Sequence, residues 1–336
     1  MNIYNDYLSS IRSAIASDRK SEKIHEAFSG SSDHFEKAFN YEVFRNQVSE
    51  KKLLPSLQSF AIELGLTANF DQQLGLHPDF AHLKYSNRIE NHYVASMFVD
   101  IKGSTNLFKK YEPETVLIIT NTVQRAAIHT NLIFGGYIHR LHGDGLFVYY
   151  GRKGLDISVA VLSALQSASI FTYFVKNDLR NLFNEQGIED IFTRIGIDLG
   201  FDRDVIWAMA GMGEISEVTT CSLHTSLASK MQDKATSNGV VLGDNIFKQM
   251  TTLQEYFTPV CNRTKNEADR YIFQIPSENF KYVQYDFNWL KFLKSQDFIA
   301  TDLAGNLSFK QKQNRVEPRL AENIKPIAIL SKPYYD

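Results

Sequence analysis

Residues 93–108 read YVASMFVDIKGSTNLF. The first seven form a short, β-prone apolar run of the kind that makes a buried strand. The run stops at Asp100. Lys102, Gly103, Ser104 and Thr105 follow, a Gly-Ser-Thr turn that opens a helix. An acidic residue that ends a buried strand and runs straight into such a turn sits where binding and catalytic groups concentrate.

Working outward, Pro113 stands at the first position of a helical pattern over residues 116–132, which Gly135 and Gly136 end. Residues 137–142 and 146–150 are two β-prone runs around Gly143-Asp144-Gly145, a hairpin signature. A long helical pattern covers residues 157–183. Strands are expected at 193–199 and 205–209, a helix at 223–234, and further strands at 240–242 and 270–275. The order β α β β α β β α β, with hairpins and crossovers mixed, predicts an α/β chain. Its closest description is an α+β sandwich of ferredoxin-like type with a mixed, largely antiparallel sheet flanked by helices.

Three regions are expected. Residues 1–90 form a helical N-terminal region. It carries Ile3, Tyr7, Leu8, Ile11 and Ile15 at helical spacing, then a second helix with Asp33 as cap and Phe35, Phe39 and Phe44, and ends in a looser linker over residues 74–91. Residues 91–275 form the sandwich, and residues 276–336 a Lys-, Asn- and Gln-rich surface tail.

Composition narrows the function. The 336 residues hold 36 basic and 38 acidic side chains, a net charge of −2, with 43% apolar and 22% charged residues. This is an ordinary globular mix without the basic excess of a nucleic-acid coater. Two cysteines, Cys221 and Cys261, suit a reducing compartment, and the start of the chain lacks the apolar core of a signal peptide. No continuous run of apolar residues approaches the roughly 18 of a membrane span. The expectation is a cytoplasmic protein with no membrane and no nucleic-acid partner.

Asp100 and Asp144 are the candidate chemical pair. If the hairpin pairs beside the first strand, both carboxylates reach one end of the sheet. There they repel unless a cation lies between them, and hard oxygen ligands suit Mg²⁺ or Mn²⁺. The turn after Asp100 offers unpaired N–H groups, and Gly103 permits close approach of a phosphate. Read singly, Asp100 fits a helix N-cap and Asp144 a turn aspartate. His139 and His142, three apart on a strand, face opposite sides and do not form a joint metal site.

Four segments carry a resemblance. FVDIKGSTNLF (98–108), RLHGDGLFVYYG (140–151), RIGIDLG (194–200) and SLHTSLASKMQ (222–232) resemble, in order, signatures of the class III nucleotidyl cyclases. The likeness covers residues 93–275. It implies a class III cyclase domain in which Asp100, Asp144 and the Ile101 carbonyl hold two divalent cations, Mn²⁺ or Mg²⁺. Backbone at Lys102, Gly103, Ser104 and Thr105 holds the β- and γ-phosphates, and the ribose 3′-hydroxyl attacks the α-phosphorus.

The departures from the adenylate and guanylate patterns lie at base-reading positions. Arg140 stands where Lys or Glu is usual, and Thr219 where an acid is usual. Ser226 and Lys230 replace the family's Asn and Arg at the transition-state helix. With Tyr93 narrowing the pocket, this resembles the pyrimidine cyclases of bacterial anti-phage (Pycsar) systems. The resemblance implies cyclic UMP or cyclic CMP, with a separate effector reached through the diffusible product. UTP is placed first, because Thr219 can accept from uracil N3–H while Arg140 donates to a carbonyl. Tyr93 equally fits a core aromatic, Arg140 a surface strand residue, and Lys230 a solvated helix charge. The competing functions are a cytidylate cyclase, an adenylate cyclase and a catalytically silent nucleotide-binding homologue. The family's shared sites imply a homodimer, with metal aspartates from one subunit and Arg140, Thr219 and Lys230 from the other.

Overall fold

The computed structural model describes residues 2–18, 51–303 and 305–310. The expected helix carrying Phe35, Phe39 and Phe44, with Asp33 as cap, lies outside these residues, as does the C-terminal stretch from residue 311.

The centre of the molecule is a sheet of strand order β10-β11-β8-β5-β2-β4-β3, with β9 paired to β11. In chain order β2 is Val94–Lys102, β3 Tyr137–His142, β4 Gly145–Tyr150, β5 Phe192–Gly200, β8 Gly239–Gly243, β9 Phe257–Pro259, β10 Tyr271–Ile275 and β11 Phe280–Phe287. Only the β5–β8 pair is parallel; every other pairing in this sheet is antiparallel. A smaller sheet holds β1 (Glu90–Asn91), β6 (Ile206–Met212) and β7 (Ile215–Cys221). The helices up to residue 234 are α1 (Asn5–Ala16), α2 (Pro55–Leu64), α3 (Pro113–Ile133), α4 (Ile157–Tyr173), α5 (Arg180–Glu185) and α6 (Leu223–Lys234), and three short ones follow among the described residues. This is the expected mixed α+β sandwich.

Strand alternation divides β2 between two faces. Tyr93, Ala95, Met97, Val99 and Ile101 enter the main core with α1, α3 and α4. Val94 and Phe98 point to the opposite face, into a second cluster with Tyr137, Phe147, Tyr149 and Trp207. Asp100 shares their parity. The functional groups therefore stand on the face away from the α3–α4 layer.

Several segments differ from the sequence reading. Helix α1 packs on the sandwich itself. Tyr4 and Tyr7 are fully buried, and their hydroxyls bond Thr130 Oγ1 and His129 Nδ1 of α3, each at 2.6 Å. The stretch read as a linker over 74–91 packs on the sheet instead. It forms a 3₁₀ turn at Pro78–Leu83 that buries Phe80 and Leu83 against Trp207. The sheet extends past residue 275, because the alternating FKYVQYDF of β11 lies in its interior beside β8. The helical run Ile157–Glu185 is long and apolar enough to cross a bilayer by length and composition. Inside the protein, however, 72% of its apolar window is buried, as a central core helix requires.

Candidate active site

Two polar centres lie on the open face. The first is built around Asp100. Its cross-strand neighbour on β5 is Arg194. The guanidinium donates to Asp100 Oδ2 from Nη2 at 2.8 Å and from Nε at 3.2 Å. Arg194 also reaches the Asp233 carbonyl at the end of α6, at 3.2 Å. Asp100 is thus charge-compensated from within the chain. On its other side Val99 pairs with Leu146, which sets the tip of the β3–β4 hairpin beside it. A Cβ on Gly145 would stand 2.5 Å from the Val99 carbonyl and 3.5 Å from Asp100 Cα, so only glycine lets the tip come this near. Asp144 therefore shares the end of the sheet with Asp100, as expected.

The Asp144 carboxylate accepts a hydrogen bond from the Ser104 hydroxyl at 2.6 Å. Ser104 was expected to act through its backbone; its side chain meets the second aspartate as well. Ile101 and Lys102 are still strand, and Ile101 is buried in the core. The turn begins at Gly103, whose φ is +92° and whose Cβ would lie 2.8 Å from the Asp190 carbonyl, so both conformation and space demand glycine. Ser104–Lys109 is a 3₁₀ turn in which Thr105 is exposed. Among the described residues no group of three or more His, Cys, Asp or Glu could hold a metal alone. Two carboxylates at one spot, one compensated by a single guanidinium, suit hard divalent cations whose remaining ligands come from a phosphate substrate.

The second centre lies between β3 and β7. Arg140 Nε donates to Glu217 Oε2 at 2.6 Å, and its Nη2 faces Glu217 Oε1. Thr219, two residues on, contacts His139 Nε2 at 3.1 Å and the Tyr149 hydroxyl at 3.2 Å. His139 is fully buried, and burial pushes its pKa down to about 3, so it is neutral. Burial raises the Tyr149 phenol. Arg140 and Thr219 thus occupy one centre, as expected. His142 is exposed while His139 is buried, in line with opposite faces.

Helix α6 crosses the same face. Gly196 allows it, because a Cβ there would strike the Ala228 carbonyl at 2.1 Å. Ser96 and Thr225 hydroxyls meet at 2.9 Å, tying α6 to β2. Ser226 and Lys230, one turn apart, are both exposed. Lys230 has no hydrogen bond or ion pair with any described residue, and nothing of this kind joins it to Asp100 or Asp144.

Tyr93 is the misplaced candidate. It lies in the main core at 4% exposure, its hydroxyl donates to the Leu155 carbonyl at 2.6 Å, and Gly151 packs against its ring. It stands seven residues before Asp100 on the other parity of the strand, too far to shape this site. Glu217, Arg194 and Tyr149 escaped the sequence reading, and His139 was weighed there only as a metal ligand. Only β5's RIGIDLG hinted at Arg194; the others depend on strand pairing.

Among curated proteins the chain is 36% identical over 271 residues to a cytidylate cyclase of Staphylococcus aureus, covering 80% of this chain and 63% of that protein. It is 31% identical over 273 residues to a cytidylate cyclase of Escherichia coli, covering 77% and 58%. The chain thus spans less than two thirds of the length of these relatives. Among solved structures it resembles an adenylyl cyclase, CyaB of P. aeruginosa, at 17% identity and a TM-score of 0.48, covering 60% of this chain and 95% of that one. It also resembles a guanylate cyclase domain from Catenaria anguillulae crystallised with GTP, at 15% identity and a TM-score of 0.44, covering 60% and 97%. No family model matches the chain.

Proposed function

We propose, from the similarity to curated cytidylate cyclases and the site's geometry, that this chain is a class III nucleotide cyclase that converts CTP to cyclic CMP and pyrophosphate. The observation that carries the reading is the convergence of Asp100 and Asp144 at one end of the sheet through the Gly145 contact. Divalent cations held there would stabilise charge at the attacking and leaving oxygens. The chain's own groups divide the remaining work. Arg194 holds Asp100 in place, Ser104 holds Asp144, and the left-handed Gly103 makes the turn whose backbone would meet the triphosphate beside both. Lys230 is an exposed cation on α6 that would meet developing phosphate charge, as a point charge in place of the fork an Arg supplies.

The sequence reading put UTP first. The names of the relatives favour CTP, and Thr219 is less free for a uracil N3–H than its position suggested, since its hydroxyl already contacts His139 and Tyr149. The resemblance to Pycsar cyclases supports a role in anti-phage signalling in the cytoplasm, with a separate effector reading the cyclic nucleotide. The absence of a contact from Lys230 or Ser226 to the aspartates among the described residues supports a homodimer with shared sites. The test is turnover of each of the four nucleoside triphosphates with Mn²⁺, the cyclic product being identified by mass. Cyclic CMP from CTP is expected. Cyclic AMP alone would give the adenylate reading, and no product from any nucleotide the silent one.

A further inference from the structure

Arg140 is not a free guanidinium. Glu217 occupies its Nε–Nη2 edge, one carboxylate oxygen accepting from Nε at 2.6 Å and the other facing Nη2. A planar guanidinium has a second edge, made by one N–H of Nη1 and one of Nη2, which are parallel donors with fixed spacing. With the first edge taken, only this second edge can meet a ligand as a fork. The side chain of Arg140 is 42% exposed and that of Glu217 21%, so the guanidinium is the more accessible partner of the pair.

The pair is also held rigidly from below. Gly75, from the stretch preceding the cyclase-like region, threads between the two strands. Its N–H donates to the His139 carbonyl at 2.9 Å and its carbonyl accepts from Val218 N–H at 2.7 Å. These are the chain neighbours of Arg140 and Glu217. Gly75 has a φ of +69°, and a Cβ there would stand 2.7 Å from Glu217 Cβ.

We propose that Glu217 is a specificity-determining positioning residue: by holding one edge of Arg140 it presents two parallel donors that match cytosine and reject uracil. Cytosine carries two adjacent acceptors, O2 and N3. Uracil carries N3–H between its two carbonyls, so one donor of the fork would face another donor. A site built to satisfy such a pattern discriminates strongly, because a mismatched base leaves a polar group unpaired. The inference rests on the proposed function and on the base-reading position that the family resemblance gives Arg140.

The experiment measures kcat and KM for CTP and UTP in the wild type, in Glu217→Gln and in Arg140→Lys, with a thermal melt of each. Glu217→Gln keeps the shape of the side chain and removes the charge that holds the fork. It should lower the CTP-over-UTP ratio of kcat/KM by on the order of tenfold, chiefly through a higher KM for CTP with kcat nearly unchanged. Arg140→Lys, which cannot present a fork, should lose the preference as well. An unchanged ratio in Glu217→Gln with a lost preference in Arg140→Lys overturns the role of Glu217 and leaves Arg140 as a base reader. Equal losses for both substrates in Glu217→Gln assign it a structural role and overturn the proposal too. An unchanged ratio in both variants removes Arg140 from base reading and takes the underlying assignment with it.

Discussion

The two polar centres on the open face are built in different ways. The Asp100 centre draws on one turn and one hairpin tip, with Arg194 directly across the ladder. Its groups lie within or beside contiguous motifs, and two glycines with no room for a side chain, Gly103 and Gly145, shape it. The Arg140 centre draws on the β3–β4 hairpin, β7 and the passing segment at Gly75, three stretches that lie far apart in the chain. Its polar groups satisfy one another, apart from His139 Nδ1, which is buried without a hydrogen-bond partner. Under the proposed function, the contrast assigns the chemistry to groups carried by local motifs and the choice of base to tertiary contact, so that base preference could change while the turn after Asp100 stays the same.

The largest effect is expected from putting one defect at the Asp100 centre and one on α6 and mixing the chains. Asp144→Ala removes a metal carboxylate, and Lys230→Ala removes the α6 cation. Each should be nearly inactive alone. With shared sites and random subunit exchange, about half the dimers are mixed and one of their two sites is intact, so recovery to about a quarter of wild-type turnover is expected. No recovery despite exchange proven by tagged co-purification would place the whole site in one chain.

A smaller effect sharpens the contrast. Gly75→Ala strains a left-handed backbone and crowds Glu217, which should cost on the order of 1–3 kcal/mol of stability. It should blur the choice between CTP and UTP while the Mn²⁺ concentration for half-maximal rate stays unchanged. A shift in that Mn²⁺ requirement, read from a metal titration, would show that the two centres are not separable.

The mildest test is stability against pH. Burial holds His77, His129 and His139 neutral, each pushed down to about 3. The unfolded chain binds a proton at each near pH 6.5 and the folded chain does not, so stability falls as pH drops below 6.5 toward 3. The slope amounts to roughly 1–2 kcal/mol per histidine between pH 6.5 and 5. Urea melts at pH 7 and pH 5 measure it, and equal midpoints would mean that these histidines accept protons in the folded state.

What the sequence revealed follows the same line. Asp100, Asp144, Gly103 and the hairpin were legible because a strand end, a glycine turn and a G-D-G tip are local signals. Tyr93 was misjudged although the signal was present. Counting by twos along β2 groups it with Ala95, Met97 and Val99 on the helix side and sets Asp100 opposite. Glu217 was illegible because ISEVTTC was not recognised as a strand, so nothing paired it with Arg140. The segment over 74–91 looked like a linker because it holds only one short 3₁₀ turn before β1, while Gly75 and Leu76 are held by β3 and β7, contacts that no local pattern shows. β11 was missed because its Lys, Gln and Asn neighbours suggested a solvated tail, though FKYVQYDF alternates as a sheet strand does.

The most direct test of the central claim is a competition in one vessel. CTP, UTP, ATP and GTP at equal concentration are given to the purified protein with Mn²⁺, and the cyclic products are separated and weighed against one another. The site described here predicts cyclic CMP in clear excess over cyclic UMP, with cyclic purine nucleotides negligible. Cyclic UMP in excess, or a cyclic purine nucleotide as the main product, would contradict it.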